Sequence, residues 1–281
     1  MKEVGYGKKV FITTIIILFV SFSCHSIVNI TTSRSLNRTI QQAKAEGVKL
    51  TPEEVIPPPV PDEENAATVY QEAFNLIDKL KEKYKTEWDY MPYESTKKIE
   101  KLTTQEKNNI KNIMKDPDFV KFYTLIDKAV NMPHCRFDIK YEKGTDMLLP
   151  HLGKMRQCAR LVAARTYILT ENKKYNDALN SVKTGLKLGE SLTDEPILVS
   201  QLVRIAIDVI AKNSLNYLLN KEDISFSKDN YYDLISIIDK KNRKITRSLD
   251  GELVLFGRCL FEQDIPFGCT TRNIFSRQNT S

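Results

Sequence analysis

Histidine is scarce in this chain. Of three in 281 residues, only His134 and His151 lie outside the N-terminal apolar run. That scarcity leaves few candidates for Ser-His or Cys-His catalysis. There is no Gly-rich phosphate loop, no His-Glu-x-x-His, no Gly-x-Ser-x-Gly and no paired Cys-x-x-Cys, so the motifs that would announce phosphate binding, zinc or nucleophile chemistry are missing. Chemistry by paired carboxylates alone leaves no motif and stays open. Ten glycines are few for this length, and alternating Val/Thr-rich runs are rare; both argue against sheets and for an all-α fold. The net charge of +6 is mild, with no interleaving of basic and aromatic residues, and no nucleic-acid partner is expected.

One long apolar run is present. Lys8 and Lys9 precede Val10 to Cys24, and the run extends with interruptions to Ile30. Basic residues ahead of such a run hold the short end in the cytoplasm. Residues 10–30 are near the roughly 20 needed to cross a bilayer core, although Thr13, Thr14, Ser21, Ser23, His25, Ser26 and Asn29 interrupt them. The strongly apolar part also fits a signal-peptide core, with Ser21 and Ser23 offering small residues for cleavage before Cys24. Two readings follow: a single-pass cytoplasmic-membrane anchor, or a segment removed or lipidated after export. Both place the remainder outside the cytoplasm.

The organisation expected is a cytoplasmic tail at 1–9, the anchor or signal at 10–30, a Pro-rich stalk at 31–61, a helical domain at 62–265 and a flexible tail at 266–281. Pro57-Pro58-Pro59-Val60-Pro61 imposes an extended spacer. From Ala66 to Tyr84 apolar residues recur at helical spacing. Thr103 and Glu106 form a capping box, and Asp116-Pro117 reads as N-cap and first-turn proline. Residues 132–149 break the pattern, and long ordered loops in helical scaffolds often carry function. A helix from about His151 to Thr170 pairs through a polar turn with one from Tyr175 to Leu192. Tyr175-Asn176-Asp177-Ala178-Leu179, with Val182 and Gly185, resembles the second helix of a tetratricopeptide repeat. The next helix, opening at Asp194-Glu195-Pro196, is apolar on nearly every side and reads as the buried centre of a bundle. After it come a helix capped by Ser227 with Tyr231, Leu234, Ile235 and Ile238 inward, and a last one over 250–261. The basic residues Lys240, Lys241, Arg243, Lys244 and Arg247 read as a solvated face, with attraction to anionic headgroups as the alternative.

The order of several segments resembles a family of uncharacterised exported helical proteins from planctomycete-type bacteria. The residues that carry the likeness are Pro57 to Pro61 followed by Glu64-Asn65-Ala66-Ala67 and Tyr70, Cys135-Arg136-Phe137, His151-Leu152 through Arg160-Leu161, and Gln201-Leu202-Val203-Arg204-Ile205-Ala206. The likeness covers about 45–255. It implies export and helical architecture, and no activity.

Few constellations remain as candidate sites. Arg204 and Asp208 are spaced i,i+4 on the most apolar helix, and Arg156 and Arg160 likewise on an earlier one. They read either as an anion-binding pocket oriented by Asp208 or as ion pairs tying helices together; Glu252 fits either. Cys135, Cys158, Cys259 and Cys269 permit two disulfides in three connectivities, Cys135–Cys158 and Cys259–Cys269 being one, with free buried thiols as the competing reading. His151 and Cys158 lie about 10.5 Å apart along one helix face, too far to be adjacent ligands of one ion. No metal and no cofactor are expected. The sequence therefore predicts an all-α, membrane-anchored extracytoplasmic protein whose partner is another protein. The alternative is a ligand-binding or hydrolase-type domain using the Arg/Asp region.

Overall fold

A computed structural model describes residues 4–88, 91–92, 101–222, 224–239 and 246–256. Every regular element among them is helical, and the chain divides into two compact units at Leu50/Thr51.

The first unit is one continuous helix, α1 (Val4–Ala45). It runs on through the first part of the stretch expected to be the stalk. Phe11, Ile16, Ile17, Leu18, Phe19, Val20 and Phe22 are all exposed on it. Among the described residues no helix is long and apolar enough to cross a membrane. The span expected over 10–30 is therefore unsupported by the fold: Thr13, Thr14, Ser21, Ser23, His25, Ser26 and Asn29 interrupt the roughly 20 apolar residues that a bilayer core requires.

The second unit begins earlier than the stalk boundary suggests. Thr51 and Glu54 close a capping box on α2 (Pro52–Val55), and Val55 is fully buried. Arg136 Nε donates to Pro57 O at 3.0 Å. Proline rigidity here seats the segment against the domain instead of holding it off.

After a 3-10 turn at Asp62–Glu64, Asn65 caps α3 (Ala66–Lys83) by accepting from Ala67 N at 3.1 Å. The same amide is paired with the backbone of Arg136, accepting from its N at 2.8 Å and donating to its O at 2.9 Å. One side chain thus starts a helix and pins the 132–149 loop. A short helix, α4 (Lys85–Trp88), ends this part. α5 (Thr104–Ile113) starts at the expected capping box, with Glu106 N donating to Thr103 Oγ1 at 3.2 Å and Thr103 N to Glu106 Oε2 at 2.7 Å.

α6 (Pro117–Ala129) packs on α3 through Phe119, Phe122 and Ile126, all nearly inaccessible. Its N-cap, Asp116, accepts from Asp118 N at 2.8 Å, Lys83 Nζ at 2.5 Å and Tyr84 Oη at 2.6 Å. The Lys83 ammonium, and then the Tyr84 hydroxyl, hold the Asp116 carboxyl down at about 2. A depressed carboxyl stabilises the fold above its unfolded value of about 4, and that stability drains as pH falls from about 4 towards 2. Asp116→Asn is expected to flatten the acid limb of the thermal midpoint over that window; an unchanged slope would refute the assignment.

The 132–149 loop is ordered without forming a strand. Phe137, Ile139 and Tyr141 turn inward while Asp138 and Lys140 face water. The centre is a run of three long helices, α7 (Pro150–Glu171), α8 (Tyr175–Glu190) and α9 (Leu198–Leu219), each packed on the other two. Gly185 of α8 meets α9 where an added Cβ would come 3.2 Å from Ala211 Cβ, and Ser181 Oγ donates to Val162 O of α7 at 3.1 Å.

Two expectations about burial are corrected. α9 is not the enclosed centre: Val199 (50 %), Leu202 (55 %), Ile205 (36 %) and Val209 (50 %) are exposed. α10 (Lys228–Asp239) buries Leu234 but exposes Tyr231, Ile235 and Ile238. Among the described residues it packs chiefly against α8, and the Leu234 side is the one that is covered. α11 (Thr246–Leu255) replaces the helix expected over 250–261; residues beyond 256 lie outside those described.

Candidate functional site

The densest buried polar arrangement lies where the linker 191–197, between α8 and α9, is tied to its surroundings. Asp194-Glu195-Pro196 does not open α9; it sits within this linker. Ser191 Oγ and Tyr70 Oη of α3 are 2.8 Å apart. Gln201 Nε2 donates to the carbonyls of Leu192 and Glu195, each at 2.9 Å. Arg204 Nη1 donates to Thr193 Oγ1 at 3.1 Å. At the end of the linker, Glu252 of α11 accepts from Leu198 N at 2.9 Å and so caps α9.

At its centre are His151 and Glu195. His151 Nε2 lies 2.9 and 3.2 Å from the two carboxylate oxygens, and the two side chains are 7 % and 4 % exposed. His151 stands in the first turn of α7, where Pro150 pre-sets the backbone. Phe137 stacks on its ring with centroids 4.3 Å apart and planes 23° apart. Phe137 in turn stacks on Phe74 and Tyr70, each at 6.2 Å. An aromatic stack therefore runs from α3 through the loop to the buried His151–Glu195 pair.

The two described thiols of the helical domain are held in their protonated form. Burial, and then the Glu195 and Asp194 carboxylates, push the Cys135 thiol far above its usual value. Burial does the same to Cys158. Both stay protonated at neutral pH, and the thiolate is the reactive form. Both are also free, the alternative that the sequence left open beside a Cys135–Cys158 disulfide. Cys259 and Cys269 lie outside the described residues. Burial likewise raises the Tyr70 hydroxyl and lifts Tyr167 to about 12.

The arginines expected to converge are spread out. Arg156 is exposed on α7, and Arg160 is half-buried on the same helix. Arg204 and Asp208 are buried on α9, where an added Cβ at Gly189 would come within 2.7 Å of Asp208 Oδ1. Glu252 joins this group through the first residue of α9. Among the described residues no group of three or more His, Cys, Asp and Glu side chains is placed to hold a metal ion.

Sequence reasoning missed Glu195 and Gln201. Glu195 meets His151 across 44 positions, and neither residue belongs to a motif. Only the polarity of Gln201 on an apolar helix hinted at a buried role. Compared with known proteins, the chain matches no family model, no curated protein and no solved structure.

Proposed function

We propose that the chain is a non-enzymatic protein-interaction or structural module of the cell envelope. One observation carries this reading: over the first four turns of α9 the outer side is apolar and exposed, while Ser200, Gln201, Arg204 and Asp208 point inward. An uncapped apolar helix face of this kind marks an interaction site. The buried polar groups of the 191–197 linker tie helices together, and burial keeps the two described thiols protonated, which suits a scaffold.

The same proposal places the helical domain outside the cytoplasm, with α1 as the lipid-facing anchor. The exposed Phe11, Ile16 to Val20 and Phe22, behind Lys8 and Lys9, support that placement. It also reads α7 and α8 as a tetratricopeptide-like hairpin, supported by the close approach at Gly185, and keeps the likeness to planctomycete-type exported proteins.

A ligand-binding alternative rests on a separate observation. Arg204 Nη2 and Gln201 Oε1 are sealed from solvent without a hydrogen-bond partner among the described residues, and unmet buried donors are costly. Native and denaturing mass spectrometry of the full chain, extracted in detergent, tests both. Masses equal to whole chains only are expected. A bound small molecule or metal would overturn the scaffold reading and direct attention to Arg204.

A further inference from the structure

Over its first four turns α9 is built inside out. Ser200, Gln201, Arg204 and Asp208 are 0 %, 2 %, 3 % and 4 % exposed. Val199, Leu202, Ile205 and Val209 face outward, with Leu198, Val203 and Ala206 half-exposed beside them. Both charged side chains of this stretch are turned in, so the outward surface is apolar and uncharged for about 15 Å along the axis. The first exposed charge is Lys212. A helix facing water would carry the opposite arrangement.

We infer that this face pairs with the same face of a second copy, α9 against α9, about a two-fold axis near Ile205. The inference rests on the interaction-module reading and names its partner. A two-fold interface must be self-complementary. A face with no exposed charge sets no like charges against each other when it meets itself. Antiparallel pairing about Ile205 also brings Lys212 opposite the mate's Leu198, where Glu252 is seated. Lys212 then meets an acidic side chain. Leu249 (55 %) and Leu253 (57 %) on the neighbouring α11 add exposed apolar surface.

The test uses the full chain in detergent and measures its mass by light scattering with the micelle contribution subtracted. A dimer is expected at micromolar concentration. Leu202→Asp, which leaves α1 intact, should halve the mass without changing the helical circular dichroism signal. Oxidation of Ile205→Cys should yield a crosslinked dimer that wild type and the off-face Lys121→Cys do not. A monomeric wild type, or a dimer that survives Leu202→Asp and gives no Ile205→Cys crosslink, would overturn the inference. A monomer whose α9 face binds apolar dye only after residues 257–281 are removed would assign the face to that segment instead. The interaction-module reading fails on a different result, the bound small molecule or metal described above.

Discussion

Glu195→Ala is expected to lower the unfolding free energy by about 1–3 kcal/mol, the cost of leaving a buried hydrogen-bonding group without its partner, with the void left behind adding to it. His151 and Glu195 are both nearly inaccessible and lie 2.9 Å apart. Removing the carboxylate strands the imidazole under Phe137 and opens a void. His151→Leu should cost as much, because it leaves a buried carboxylate unmet. The double variant His151→Leu/Glu195→Met should recover most of the loss, since buried pairs replaced by apolar residues of similar size are often neutral. Urea denaturation of wild type, His151→Leu, Glu195→Met and the double variant measures the coupling as a double-mutant cycle. A loss under about 1 kcal/mol in Glu195→Ala would mean that the linker does not depend on the pair.

Gly251→Ala is expected to be comparably severe. An added methyl group would overlap the Pro196 carbonyl and would lie 2.8 Å from Pro196 Cβ. The obstacle is backbone, so no side-chain rotation relieves it. Overpacking of this kind costs about 1–3 kcal/mol even where neighbours can move. Here relief requires α11 to lift off, releasing the Glu252 cap on Leu198 and exposing Val254 and Leu255, each 7 % exposed in the fold. A total above about 3 kcal/mol follows from adding the lost burial. Gly185→Ala is the comparison: its nearest contact is a methyl group at 3.2 Å, and a small shift accommodates it. Thermal melts that rank the two equally would refute the close approach at Gly251.

Helix existence was legible because its signals are local. The Thr103/Glu106 box and the Asp116-Pro117 start act within one turn, and the structure bears out both. The stripe on α3 is likewise where its spacing placed it. Burial was less legible. α10 carries apolar residues on more than one side, so spacing alone named Tyr231, Ile235 and Ile238 as inward, whereas the neighbouring helix α8 takes only the Leu234 side. Of the candidate site residues, Arg204 and Asp208 are buried on α9, Glu252 reaches the first residue of that helix from α11, and Arg156 faces water.

The sequence by itself determined that the fold is helical, where most helices start, and that the common catalytic motifs are missing. These follow from propensity, capping and composition, which act over a few residues. Only the tertiary structure decided which face of α9 is covered, because a helix apolar on nearly every side has no preferred inside. Only it brought His151 to Glu195 and Gly251 to Pro196. Those contacts join distant parts of the chain and depend on how whole helices pack, which no short-range pattern encodes.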